Sequence, residues 1–132
     1  MSIKKINIAV VGATGYTGLD LVYFLSKHPK ANILNLCATK HIGRKISYFD
    51  KRIKKKLPKI STINKINYTY IDLIFLSLPN GEAQKFIKNI YHKYKNIKFI
   101  DLSADFRISD IRSYLKNYKI KHKAPKLISD SV

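Results

Sequence analysis

The sequence predicts an α/β fold of Rossmann type: a doubly wound, mostly parallel sheet with helices on both faces. Three observations predict it. Short apolar runs rich in Ile and Val recur along the chain, as buried parallel strands require. They alternate with stretches of helical spacing, the order that winds helices over a parallel sheet. A glycine-rich turn joins the first such run to the first helical stretch.

The elements follow in order. Lys5–Val11 reads as a buried first strand, and Gly12–Gly18 as the turn that leaves it. Leu19 to Lys27 has helical spacing, with Leu21, Val22 and Leu25 on one face. His28-Pro29 closes that helix, because the residue before a proline is pushed out of helical geometry. Ile33–Ala38 is the second strand. Lys40 to Ile60 is basic and loop-like, with a short helix expected within it. Ile71–Leu78 is the cleanest strand and ends at Pro79-Asn80-Gly81. Glu82 to Lys95 places Ala83, Phe86, Ile87, Ile90 and Tyr94 on one helical face, with Lys85, Lys88 and Lys95 mostly opposite. Ile97–Leu102 is the last clear strand, followed by the polar loop Ser103–Arg107. A helix near Ile111–Tyr118 and a basic tail complete the chain.

Length and composition bound the function. The 132 residues fit one domain, and 45% hydrophobic residues suffice for a core. The 26 Lys+Arg against 8 Asp+Glu give a net charge of +18, which attracts phosphates and acidic polymers. Only four of those cations are arginine (Arg44, Arg52, Arg107, Arg112), and Lys, Ile, Asn and Tyr are all abundant. Codon composition alone can load a surface with lysine in that way. The aromatics look placed for a core, and no nucleic-acid-binding motif is present, so nucleic acid is not the expected partner. One cysteine, Cys37, excludes an internal disulfide framework and an all-cysteine metal site. No metal site is expected. Cys37 falls in the second strand and reads as a small buried hydrophobe. His92 and His122 read as surface residues, and His28 as helix-end punctuation. No apolar run reaches the roughly 18–20 residues of a membrane span. A reducing cytoplasm is the natural compartment.

Gly12-Ala13-Thr14-Gly15-Tyr16-Thr17-Gly18 spaces its glycines as G-x-x-G-x-x-G, a variant of the dinucleotide fingerprint. Gly12 is expected to make the tight turn, Gly15 to let a pyrophosphate approach the backbone, and Gly18 to let the helix pack closely. Amides at the helix start would face the phosphates, with the hydroxyls of Thr14 and Thr17 beside them. A ribose-binding Asp or Glu usually sits some 20 residues past such a turn in NAD enzymes. Here the second strand is followed by Ala38-Thr39-Lys40-His41 and Gly43-Arg44-Lys45, with no acid among them. Thr39, Lys40 and Arg44 suit a 2′-phosphate, so the expected cofactor is NADP(H) rather than NAD.

Three separated motifs resemble N-acetyl-γ-glutamyl-phosphate reductase of arginine biosynthesis, within the semialdehyde dehydrogenase superfamily. They are GATGYTG at Gly12–Gly18 followed by Leu19-Asp20-Leu21 and His28-Pro29; Leu78-Pro79-Asn80-Gly81, with Asn where the family has His; and IDLSADFR at Ile100–Arg107. His122 and Pro125 are similar to the family's H-x-x-P. The resemblance covers nearly the whole chain. It implies an oxidoreductase that reduces an acyl phosphate with NADPH through a cysteine thioester, with a histidine as acid/base. It further implies that Tyr16, Pro79, Asn80 and Gly81 border the cofactor, and that Ser103, Asp105 and Arg107 shape the nicotinamide and substrate-phosphate end. An Asp105–Arg107 pair that merely fixes the loop is the equal alternative. The family's catalytic cysteine and histidine lie beyond the last residue here. The expectation is therefore an NADP-binding domain over residues 1–132, with the connection to a missing substrate domain starting from about residue 109. No residue of this chain is expected to be catalytic. The acyl-phosphate substrate would bind only with that second domain, and a homo-oligomer or a complementing chain would cover the apolar surface left by its absence. The competing reading is a non-catalytic basic module on the same scaffold, with Lys54–Lys56 and Lys119–Lys126 binding nucleic acid or a partner protein.

Overall fold

The structure, a computed structural model, describes residues 5–79 and 81–102. Five strands form one parallel sheet: β1 (Ile6–Val11), β2 (Ala31–Cys37), β3 (Ile60–Ser61), β4 (Leu73–Leu76) and β5 (Lys98–Asp101). Their spatial order is β3-β2-β1-β4-β5, the order of a doubly wound dinucleotide fold. Two helices join them, α1 (Tyr16–Ser26) and α2 (Glu82–Tyr91).

β4 is wholly apolar, and β1 is apolar but for Asn7, because both of their faces are covered. Ile8, Val10, Leu73 and Phe75 point to one side, where Leu21, Val22 and Leu25 of α1 meet them. Ala9, Val11, Ile74 and Leu76 point to the other side, against Ala83 and Phe86 of α2. Leu21, Val22 and Leu25 are fully buried, and each such side chain contributes about 1.5–3 kcal/mol on leaving water. The register sets Ile8 beside both Ile33 and Leu73, and Val11 beside both Cys37 and Leu76. The β1–β2 register shifts between Ile8 and Ala9, so Leu34 is an extra residue on β2.

A polar lock fixes the amino ends of the three central strands. The Asn7 amide donates to Asp72 Oδ2 at 2.8 Å, and Asn7 Nδ2 donates to the Tyr70 carbonyl at 2.9 Å. Asn7 Oδ1 accepts from Asn32 Nδ2 at 2.9 Å. One side chain therefore ties β1 to the residues entering β2 and β4.

Several boundaries differ from the sequence expectation. Helix α1 begins three residues earlier, at Tyr16, so Gly18 lies inside its first turn rather than before it. It ends where expected: the Lys27 and His28 amides donate to the Phe24 and Leu25 carbonyls, and Pro29 follows. The expected helix within 40–60 is one 3₁₀ turn, Ile46–Tyr48. β3 closes that stretch as a two-residue strand, too short to show a period. The expectation that the aromatics serve the core holds for Phe75, Phe86 and Phe99, and for Tyr23, Tyr68 and Tyr94 at its margin; it fails for four other tyrosines. Tyr16, Tyr48, Tyr70 and Tyr91 are all exposed, since a phenol can keep its hydroxyl in water while its ring covers a neighbour. The expected helix near Ile111–Tyr118 lies outside the described residues. Among the described residues no helix is long and apolar enough to cross a membrane.

Candidate functional site

In a parallel sheet the carboxyl ends of all strands share one edge, and a ligand cleft opens there where the strand order reverses. That reversal falls between β1 and β4, since β2 lies on the other side of β1. Three loops meet this edge: Gly12–Gly15 after β1, 38–45 after β2, and, of the described residues after β4, 77–79 and Gly81.

The three glycines of Gly12–Gly18 meet different surroundings. Gly12 has φ +86°, and a Cβ there would fall onto the Ser77 carbonyl oxygen at the end of β4. Only glycine fits, on both counts. The amides of Gly12 and Ala13 both donate to the Cys37 carbonyl, at 2.9 and 3.0 Å. Gly18 is buried, and a Cβ on it would strike the Gly12 carbonyl, so its bareness seats α1 against the turn. Around Gly15 there is open space: a Cβ would meet only the Gly12 oxygen at 3.9 Å.

Gly15 is also the N-cap of α1, with no side-chain cap and no acidic residue in the first turn. The first intrahelical donor at this end is the Leu19 amide, 2.8 Å from the Gly15 carbonyl. Among the described residues, the amides of Thr14, Tyr16, Thr17 and Gly18 have no acceptor. Such unpaired donors, reinforced by the helix dipole, form a natural anion cradle. The bare Gly15 backbone leaves room for a group as bulky as a pyrophosphate. This geometry fits a dinucleotide. Tyr16, 94% exposed, and Thr17 stand at the rim.

The loop after β2 is shaped by its pairing with β3. The Gly43 amide donates to the Ile60 carbonyl at 2.7 Å, and the Ile60 amide returns a bond to Arg44 at 2.9 Å. Thr39, Lys40, His41, Arg44 and Lys45 are all exposed. The Arg44 guanidinium rests 4.8 Å from the Tyr48 ring centre. The nearest acid along the chain, Asp50, is occupied by Arg52, and both ion pairs among the described residues are made by Arg52. Lys40, Arg44 and Lys45 thus present positive charge with no carboxylate paired to it among the described residues.

The loop after β4 is anchored by the Ser77 amide, which donates to the Val11 carbonyl at 2.8 Å. Gly81 has φ +91° and starts α2, and the Glu82 amide reaches back to the Pro79 carbonyl at 3.2 Å. The structure therefore brings Gly12–Gly18, Thr39, Lys40, Arg44, Pro79 and Gly81 to one sheet edge. Asn80, Ser103, Asp105 and Arg107 lie outside the described residues, as does His122.

Cys37 is no nucleophile in this setting. It is the last residue of β2 and fully buried; its Sγ lies 3.6 Å from the Thr62 carbonyl. Burial pushes the thiol up to about 11, against a smaller lowering by a hydrogen bond to Ser61. Its thiolate is negligible at neutral pH. His92 is exposed on the surface. His28 Nδ1 accepts the Lys30 amide at 3.1 Å, which fits its helix-end role. Sequence reasoning passed over Gly43, Tyr48 and Arg52. Gly43 breaks the basic run and could have marked a turn; nothing in the spacing of Arg52 signals its partners.

Residues 7–130 match the family model of the semialdehyde dehydrogenase NAD-binding domain. Over 97% of its length the chain is 45% identical to an N-acetyl-gamma-glutamyl-phosphate reductase of Ehrlichia ruminantium (strain Gardel), of which it spans 37%. It is 35% identical to a probable chloroplastic N-acetyl-gamma-glutamyl-phosphate reductase of Oryza sativa subsp. japonica, over 98% of this chain and 31% of that protein. The chain thus spans about a third of the curated relatives it matches. Among solved structures it is similar to aspartate semialdehyde dehydrogenase from Candida albicans with NADP, at TM-score 0.57 and 21% identity, covering 80% of this chain and 31% of that one. That likeness is one of fold.

Proposed function

The chain belongs to the semialdehyde dehydrogenase NAD-binding domain family, and from that premise we propose that it is the NADP-binding part of an N-acetyl-γ-glutamyl-phosphate reductase. The observation that carries the reading is the bare Gly15 backbone at the uncapped start of α1, where four neighbouring amides lack acceptors among the described residues at the switch point of the sheet. The names of the relatives supply the substrate class, N-acetylglutamyl 5-phosphate.

Bound NADPH would supply a hydride to the acyl carbon. The residues of this chain hold and orient the cofactor. The amides of Thr14, Tyr16, Thr17 and Gly18 receive the pyrophosphate, with the Thr14 and Thr17 hydroxyls beside it. Thr39, Lys40 and Arg44 receive the 2′-phosphate, a group for which unpaired cations are the natural partner. Pro79, Asn80 and Gly81 border the nicotinamide side, and Ser103, Asp105 and Arg107 belong to the substrate end. The one cysteine, Cys37, is buried with its thiol held protonated. The reductase reading therefore requires a nucleophile that these 132 residues do not hold.

Titration of the chain with NADPH and NADH at fixed ionic strength tests the cofactor assignment. NADPH is expected to bind more tightly; tighter NADH binding overturns it. The chain by itself is expected to bind cofactor without turning over an acyl phosphate, and turnover would overturn the division of labour.

A further inference from the structure

We propose that Arg52 is a positioning residue for cofactor choice: it straps the loop after β2 to α1 and so fixes where Arg44 presents its charge. The inference rests on the NADP reading above and adds a residue that touches no part of the cofactor.

The strap is a single planar fork with partners on two elements. Arg52 Nη2 donates to Asp20 Oδ1 on α1 at 2.8 Å and to Asp50 Oδ2 at 2.6 Å. Arg52 Nε donates to Asp50 Oδ1 at 2.9 Å. The guanidinium also lies 4.5 Å from the ring centre of Tyr23, on α1. Asp50 in turn accepts the Arg52 amide at 3.0 Å, and its carboxyl is held below the usual range by these bonds. A guanidinium can do this because it is flat, delocalised and able to stack while it forks; an ammonium cannot.

From Asp50 a continuous series of contacts leads to the cationic loop. The Asp50 amide donates to the Ile46 carbonyl. Its neighbours Phe49 and Tyr48 meet edge to face at 5.1 Å. Phe49 also meets the His41 ring at 4.9 Å, and Tyr48 carries the Arg44 guanidinium at 4.8 Å. His41 itself holds φ +64°, a left-handed geometry that a non-glycine residue keeps only when its surroundings impose it. The cationic loop is thus set by side-chain contacts that end on α1, the helix whose start forms the pyrophosphate cradle.

The same arrangement keeps acids away from the loop. Asp20 and Asp50 both face Arg52, which leaves Arg44 without a carboxylate partner among the described residues. Arg52 is half-exposed and an exposed ion pair adds little stability. Its consequence is expected in ligand geometry more than in folding.

The test uses the full chain, titrated with NADPH and with NADH. Arg52→Lys keeps the charge and loses the fork, so electrostatic attraction in general is preserved. NADPH binding is expected to weaken roughly 3- to 10-fold, with NADH binding unchanged. Placed in an Arg44→Ala background, Arg52→Lys is expected to have no further effect on NADPH, because the group it positions is gone. Asp20→Asn, a milder change on an exposed side chain, is expected to shift NADPH affinity in the same direction with an unaltered thermal midpoint. If the wild type prefers NADPH and Arg52→Lys weakens neither cofactor, or both equally, the strap is refuted and the cofactor reading stands. If the wild type shows no preference for NADPH, the cofactor reading itself fails and the strap falls with it.

Discussion

Replacing Gly15 and Gly12 by alanine separates ligand approach from fold, because the two sites differ in what a new methyl group meets. At Gly15 the added Cβ has only the Gly12 oxygen at 3.9 Å, and φ is −74°, which alanine adopts freely. Alanine is the poorer N-cap, at a cost of about 0.5–1 kcal/mol. Restricting the unfolded chain returns about 0.4–1 kcal/mol. The two nearly cancel, so Gly15→Ala should leave stability within about 0.5 kcal/mol of wild type. The methyl group nevertheless stands where a pyrophosphate would approach the backbone. NADPH affinity should fall at least about tenfold, the equivalent of about 1.4 kcal/mol. At Gly12 the balance reverses. A left-handed alanine costs about 1–2 kcal/mol, and the overlap with the Ser77 carbonyl adds about 1–3 kcal/mol of overpacking. Gly12→Ala should therefore lose about 2–5 kcal/mol. Urea unfolding with an unchanged slope gives the stabilities, and NADPH titration gives the affinities. Equal destabilisation by both substitutions, or wild-type NADPH binding by Gly15→Ala, would refute the reasoning.

Two further outcomes follow from the core. The Cys37 thiol is pushed up to about 11 from an unfolded value near 9. The folded chain thus holds a proton that the unfolded chain loses first, so the thiol's contribution is complete below about pH 9 and is lost as pH rises towards about 11. Urea midpoints measured from pH 8 to 11 should fall less steeply in Cys37→Ala than in wild type, and a thiol reagent at pH 8 should modify Cys37 only on unfolding. Asn7→Ala removes the side-chain bonds to Asn32 and to the Tyr70 carbonyl, and should cost about 1–3 kcal/mol; a midpoint unchanged in urea would mean that water replaces those partners at no loss.

The central layer was legible in the sequence because its physics is local. Ile6–Val11 and Leu73–Leu76 are buried on both faces, and a nearly continuous apolar run announces that without reference to anything distant. The tight turn at Gly12 and the close seat of the helix at Gly18 could be read from spacing, since a strand–turn–helix admits few other uses for glycines so placed. β3 could not be read: its two residues are a strand only because Leu36 and Cys37 offer an edge. The start of α1 at Tyr16 was hidden because Gly18 is a poor helix former, tolerated there by its packing against the Gly12 carbonyl. Arg52 was invisible for the same reason in stronger form. Its partner Asp20 lies 32 positions away, and nothing in local composition marks such a pairing.

The Cys37 carbonyl accepts the amides of both Gly12 and Ala13, and this small hub has a consequence for avidity. It joins the turn that would take the pyrophosphate to the strand whose next residues would take the 2′-phosphate. Two anion sites held at one separation act on a ligand that carries both anions as a bivalent receptor does. Capture of the first phosphate raises the effective concentration of the second at its own site, with no linker entropy left to lose. A cofactor fragment bearing either phosphate alone should then bind far more weakly than a simple halving of contacts suggests. On that reading the glycine turn and the cationic loop would form a single two-point gauge, set before any ligand arrives.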